Sequence, residues 1–330
     1  MQRKLFLASL VSLFAVAAPG VATAQAAPPA AFPAGPVKWI VPFPAGGGTD
    51  VVARLLGNAM AASMGQTFVV ENRPGAGTMI AGAALAKSPP DGYTIGTVDV
   101  STVALAPHLY SKVPYRPARD FAYIGGANVF PFVLVVRPEL KVTTLAQLLQ
   151  MARTRPGGMS YATPGAGGPN HLGMELFQKK AGVKLTHVPY RGDAPAIQDL
   201  LGGQVDMYLV NTAASLPYIR SGKLVAIAVS MSKRIDVLPN VPTFIEQGVP
   251  DFESYAWQGL AAPAGTPPAV LQRLSAELAK ALATDEVKTK FQDMGIVPFP
   301  MGADAFTRHV NDQSTQWGGV IQAAGIKLED

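Results

Sequence analysis

One stretch near the start constrains the fold more than any other. An apolar run, Val37 to Val41, leads through Pro42-Phe43-Pro44-Ala45 into three glycines at 46–48. Thr49-Asp50 then open an amphipathic run with Val51, Val52, Leu55, Leu56, Ala59 and Met60 on one side. The pattern is strand, glycine turn, helix N-terminus. Glycine lets backbone approach a ligand closely, and the first turn of a helix carries unpaired N–H groups and a partial positive charge. Phe43, Ala45, Gly46, Gly47, Thr49 and Asp50 are therefore candidate anion-binding residues. A plain βα turn that happens to be rich in glycine is the other reading.

Nucleotide phosphates do not suit this turn. A P-loop needs Lys after its glycines, and positions 46–51 read Gly-Gly-Gly-Thr-Asp-Val where the dinucleotide fingerprint needs Gly-x-Gly-x-x-Gly. Asp50 would also face a pyrophosphate with like charge. A smaller anion such as a carboxylate fits better.

Residues 1–24 read as an export leader. Arg3 and Lys4 form a positive start, Leu5 to Val16 an apolar stretch, and Ala22-Thr23-Ala24 a small-residue cleavage site. That stretch is too short for a membrane span, so no stable membrane insertion is expected. The formal net charge is +5, about +3 without the leader, too small and scattered for a nucleic-acid footprint. With no cysteine, disulfides, thiolate metal sites and cysteine nucleophiles are excluded. Residues 25–36, rich in Ala and Pro, are expected to form a loosely ordered lead-in.

Beyond the first turn, strand-like and helix-like runs alternate, which argues for an α/β architecture with parallel strands covered on both faces. Phe68 to Val70 and Tyr93 to Val98 read as strands, with an Ala-rich helix over Thr78 to Ala86 between them. Ligands in open α/β sheets collect at the carboxyl ends of strands. Ser101 and Thr102 are therefore candidate donors beside Asp99, although helix capping by one of them is equally compatible. The run Phe121 to Val136 is broken by Gly125-Gly126 and Pro131, and its second half reads as a strand leaving a first domain.

The second part repeats the logic of the first. A short strand at Ser160 to Ala162 meets Thr163-Pro164-Gly165-Ala166-Gly167-Gly168-Pro169-Asn170, then a helix with Leu172, Leu176 and Phe177. Two such turns on two domains make a clamp for one anion. The chain is expected to cross between domains near 130–136 and 253–261, giving one domain of 25–132 plus 255–330 and another of 133–254. His108, His171, His187 and His309 show no metal-ligand spacing. Asp193 stands where it would cap a helix, Arg191 is the obvious cation near the expected cleft although a surface role is the more common fate of such a residue, and Val241 to Gln247 reads as a short helical turn.

Several runs together resemble the substrate-binding receptors of tripartite tricarboxylate transporters, the Bug-type periplasmic proteins. They are VPFPAGGGTDVVARLL, VENRPGAGTMIAG, PPDGYTIG, HVPYRGDAPAIQDLLGGQVD, GKLVAIAVS, LPNVPTFIEQGVPDFE and WQGLAAPAGTPPAV, in this order. The resemblance implies a two-domain periplasmic-binding-protein fold of type II character, each domain a mainly parallel sheet flanked by helices, with the cleft between them. It implies a small organic carboxylate as ligand, integral-membrane transporter subunits as partners, a periplasmic monomer, and no cofactor or metal. Thr163, Gly168 and Asn170 fall on the family's ligand loop, with Gly167 in the same turn. Asp99 stands where such receptors usually carry a small neutral residue. Asn211-Thr212 replaces an Asp-Ser pair, which is expected to alter the preferred ligand. A hydrolase on a small ester or amide is the alternative, but the chain carries no Gly-x-Ser-x-Gly elbow.

Overall fold

The computed structural model of the chain describes residues 32–155 and 158–328, so the leader, its cleavage point and residues 25–31 of the lead-in lie outside the described residues. The opening strand–turn–helix is in place. β1 (Val37–Val41) runs through the glycine turn into α1 (Gly48–Met64). α1 buries Thr49, Val52, Ala53, Leu56 and Met60, a stripe at three- and four-residue spacing. Gly57 lies on that stripe because a Cβ there would come within 3.2 Å of Phe68. Gly65 ends the helix in the left-handed conformation, φ 69°, with its N–H returned to the Ala61 carbonyl.

β2 (Phe68–Asn72) and β3 (Thr94–Asp99) pair parallel to β1 on its two sides, with α2 (Met79–Ala86) between them in sequence. A π-helical turn at Ser101–Leu105 continues into α3 (Ala106–Leu109), and α4 (Pro117–Asp120) precedes β4 (Phe121–Val136). Next come α5 (Leu145–Thr154), β5 (Ser160–Thr163), α6 (Pro169–Ala181), β6 (Thr186–Pro189) and α7 (Asp193–Leu201). The chain then forms β7 (Met207–Asn211), α8 (Thr212–Arg220), β8 (Val225–Val229) and β9 (Tyr255–Pro263). It closes with α9 (Pro268–Ala283), α10 (Asp285–Asp293), β10 (Val297–Pro298) and α11 (Ala303–Ala324).

The strand order is β2-β1-β3-β9-β4-β7-β5-β6, with β8 and β10 also paired to β4. The outer strands run parallel as expected, while the centre is antiparallel: β9 pairs β3 and β4, and β7, β8 and β10 pair β4. β4 joins the two halves of this arrangement. Its residues 121–131 pair with β9, and residues 132–136 with β7 and β8. The glycines and proline that look like interruptions in the sequence lie inside one continuous strand. Register shifts at Tyr123/Gly125 and Gly126/Asn128 absorb them. Gly125 has to be glycine, since a Cβ there would sit 2.6 Å from the Met301 carbonyl.

Alternation along β4 explains its apolar run. Phe132, Leu134 and Val136 join one cluster with Leu145, Leu148, Phe177, Leu209 and Phe244, while Val133 and Val135 join another with Ile197, Leu200, Tyr208 and Leu216. Helices thus cover both faces of this half, and both sides of the strand must be apolar. In the other half Val129, Trp257, Phe306, Val310 and Trp317 pack together, so α11 docks back onto the sheet that β1 begins. Residues 241–247 form no helix; they make a turn in which Thr243 bridges to Val229.

Candidate ligand-binding site

A cavity of about 1070 Å³ opens where both glycine turns meet. Phe43 to Thr49 line it from the first turn, and Pro164 to Asn170 line it from the second. Each turn delivers a helix N-terminus whose N-cap is a glycine with no side chain bonded to the first turn: Gly47 for α1 and Gly168 for α6. The N–H groups and dipoles of those helix ends are what the wall offers to an anion. Of the residues lining the cavity, only Asp99 and Asp193 are acidic, and none is Lys, Arg or His. The remaining wall is largely apolar, with Leu105, Leu109, Tyr110, Phe130, Phe132 and Leu328 among its members.

Most of the residues singled out from the sequence are brought together here. Phe43, Ala45, Gly46, Gly47, Thr49, Asp99, Ser101, Gly167, Gly168, Asn170 and Asn211 line the cavity. Asp50, Thr102 and Thr163 do not; each stands behind the wall. Asp50 is buried and takes hydrogen bonds from the Gly46 N–H (3.0 Å), Arg54 Nε (2.9 Å) and Asn72 Nδ2 (2.9 Å). Asn72 Nδ2 also donates to the Phe43 carbonyl at 2.9 Å. The carboxylate ties together both ends of the turn, and the Arg54 guanidinium, helped by Gly46 and Asn72 against the cost of burial, pulls its pKa down to about 2. Asp50 therefore shapes the turn and is not part of the cavity wall.

Thr102 closes another local network. Its N–H donates to Asp99 Oδ1 at 2.8 Å, and its hydroxyl lies 2.5 Å from the same oxygen and 2.9 Å from Thr78 Oγ1. Asp99 thus caps the turn that follows β3 and also contributes to the cavity wall. Burial pushes its carboxyl above the usual carboxylate range, against the two bonds from Thr102. Thr163 Oγ1 donates to the Gly165 carbonyl (3.0 Å) and meets His187 Nε2 at 2.7 Å, so it folds the second turn from within.

One expectation is corrected. Gly192, not Asp193, is the N-cap of α7. The Asp193 carboxylate instead accepts the Tyr208 hydroxyl and, at 2.9 Å, Asn211 Nδ2. Asn211 Oδ1 in turn caps α8 through the Ala214 N–H (2.8 Å), so its amide oxygen and one of its two amide hydrogens are engaged within the protein. Arg191 is exposed and lies outside the cavity wall.

The structure adds residues that sequence reading missed. Gly77 and Thr78 line the cavity from a left-handed run in which Ala76, Gly77 and Thr78 all have positive φ. The Arg-Pro-Gly-Ala-Gly run after β2 was the available signal, being a third glycine turn at a strand's carboxyl end. Gln258 on β9 sits directly opposite both Asp99 and Asn128 and donates to Thr49 Oγ1 at 2.6 Å. Leu328 carried no signal, since only the fold brings the C-terminal tail onto Gly167.

Residues 52–326 match the family described as the tripartite tricarboxylate transporter family receptor. The chain belongs to that family. It is 38% identical to Protein BugT of Bordetella pertussis over 97% of this chain and 100% of that protein. Among solved structures, R. palustris Rpa4515 with adipate superposes with a TM-score of 0.81 at 35% identity, covering 90% of this chain and 99% of that one. The periplasmic binding protein BugD superposes with a TM-score of 0.78 at 34% identity, covering 91% and 100%. The receptor accordingly has the periplasmic-binding-protein fold and is a solute-binding protein, not an enzyme. Among the described residues no helix is long and apolar enough to cross a membrane, and no group of three His, Asp or Glu residues is placed to hold a metal ion.

Proposed function

We propose that this receptor, exported by its leader to the periplasm, captures a small organic carboxylate as a monomer and delivers it to integral-membrane transporter subunits. The observation that carries the reading is the cavity wall: two glycine-capped helix N-termini converge in it, and no cationic side chain does. Backbone N–H groups of α1 and α6 then neutralise the carboxylate, with Thr49, Ser101 and Asn170 supplying further donors. Charge-assisted bonds of this kind contribute about 1.5–3 kcal/mol each. Several of them, less the cost of association, reach the micromolar range of about −8 kcal/mol.

The described residues divide into lobes along the expected bounds, 32–132 plus 255–328 and 133–155 plus 158–254, and the cleft between them closes on the ligand. The change of partners along β4 at Pro131/Phe132 supports this division, and the apolar clusters follow it, although Leu172 and Leu176 of α6 also pack on the first lobe. Adipate in the similar Rpa4515 structure supports a carboxylate ligand. A thermal-shift panel of carboxylates, each beside its methyl ester, tests the reading. Acids should raise the melting temperature and their esters should not; stabilisation by esters and acids alike contradicts it.

A further inference from the structure

Behind the second glycine turn lies a pair of stacked imidazoles that ligand binding as described does not use. His171, on the first turn of α6, and His187, on β6, have ring centroids 3.9 Å apart with planes inclined by 14°. Tyr161 of β5 continues the stack at 5.0 Å from His187. Hydrogen bonds fix the protonation of both rings. The Gly167 N–H donates to His171 Nδ1 at 3.0 Å, so that nitrogen carries no hydrogen and His171 is the Nε2–H tautomer. The Thr163 hydroxyl donates to the Gly165 carbonyl, so the 2.7 Å contact with His187 Nε2 is made by an imidazole N–H.

Gly165, Gly167 and Gly168 line the cavity; His171 bonds the Gly167 N–H directly, and His187 reaches the Gly165 carbonyl only through the Thr163 hydroxyl. Gly167 itself adopts φ 74° and packs beneath Leu109 and Leu328, so its position also sets how the wall closes. From these contacts we propose that His171 positions the 165–168 turn through its unprotonated Nδ1, and that acid releases the turn by protonating the stacked pair. A proton arriving on His171 has to sit on Nδ1, where it faces the Gly167 N–H, and two donors at 3.0 Å separate. A proton on either ring also disfavours one on its neighbour.

The charged and titratable groups that meet the pair are few. Glu175, on the same helix, lies 3.7 Å from His171 Nε2 and is itself bonded by the Tyr161 hydroxyl (2.6 Å) and Gln178 Nε2 (2.9 Å). Burial holds His171 below the usual histidine value despite Glu175, and burial together with His171 brings His187 down to about 4. The sign follows. The ordered turn refuses protons that a released turn accepts, so order is full above the ordinary histidine value of 6.5 and is lost progressively as the pH falls from there to about 4. The consequence for ligand affinity rests on the receptor reading; the loop behaviour does not.

The test uses the ligand-free full chain, so its outcome is independent of which ligand binds. Imidazole nitrogen shifts of 15N-histidine protein should show His171 as the Nε2–H tautomer at pH 7. The protection factor of the Gly167 amide, corrected for intrinsic exchange, should fall about tenfold between pH 7 and pH 4.5. His171→Asn offers an acceptor at the same δ1 position that does not titrate, and should stay protected across that range. An Nδ1–H tautomer, flat protection in the wild type, or an equal acid loss in His171→Asn each overturn the proposal. The tautomer and wild-type exchange measurements decide it even where the variant does not fold.

Discussion

Asp50→Asn separates a strut from a ligand contact. In the folded chain the Asp50 carboxylate holds the Gly46 N–H, Arg54 and Asn72, and through Asn72 the Phe43 carbonyl. The amide that replaces it offers one acceptor oxygen and turns two donors toward groups that are already donors. A pKa lowered from 3.8 to about 2 corresponds to about 2 kcal/mol of folding stability at neutral pH. Arg54, the largest contributor, is half exposed, and screening by solvent trims this to about 1–2 kcal/mol. Because the folded pKa is depressed, the contribution is full above the unfolded value near 3.9 and disappears as the pH falls toward about 2. Urea unfolding at pH 7, 4 and 3 should show the variant less stable by that amount at pH 7, with the gap narrowing at pH 3. Ligand affinity should fall severalfold as the turn loosens, and should not be abolished. Equal stability at pH 7, or a gap that stays constant down to pH 3, would refute the strut.

Three further outcomes are expected. Asp99 is an acid in a wall with no cation, so at a pH high enough to ionise its raised carboxyl the wild type should prefer a monocarboxylate to its matched dicarboxylate; at about 4 Å an ionised Asp99 opposes a second carboxylate by about 4 kcal/mol. Calorimetry on Asp99→Ser should show that preference shrink, and a wild-type preference for the dicarboxylate that survives the substitution removes Asp99 from selectivity. Gly125→Ala forces a Cβ against the Met301 carbonyl and should lower stability by at least about 2 kcal/mol in urea unfolding, whereas wild-type stability would show that the backbone at Met301 yields. Burial opposes ionisation of Glu277, but Lys280, Ser63 and Arg273 outweigh it and hold its pKa low. Glu277→Gln should cost about 1–3 kcal/mol at pH 7 by chemical denaturation, and a neutral result would mean that solvent replaces those partners.

The site was legible in the sequence wherever glycine, strand end and helix start came together, because backbone geometry alone dictates that combination. Both turns, at 43–49 and 164–170, were found that way. The third turn, at 75–78, has the same logic but a less regular helix after it. The roles of individual polar residues were less accessible. Asp50 points back into its own turn and Asp193 reaches Tyr208, choices set by neighbours that lie 22 and 15 residues away in the chain. β4 shows the same limit for the fold. Gly125, Gly126 and Pro131 are breakers by propensity, yet bulged pairing with β9 keeps one strand running through them. Gln258 and Leu328 reach the cavity only through tertiary contacts, and no local pattern announces either one.

The most direct test of the central claim is the affinity of Gly47→Val for the carboxylate that most stabilises the wild type in the melting panel. Gly47 adopts φ −76° and ψ 166°, open to any residue, and a Cβ there meets only the Pro44 carbonyl at 3.4 Å. Valine therefore fits the fold, and the melting temperature should drop by no more than about 3 °C, the cost of a poorer N-cap. Its methyl groups crowd the approach to the first turn of α1, and calorimetry should record at least a tenfold loss of affinity, about 1.4 kcal/mol. Unchanged affinity in a normally folded variant would mean that the carboxylate does not sit on this helix end.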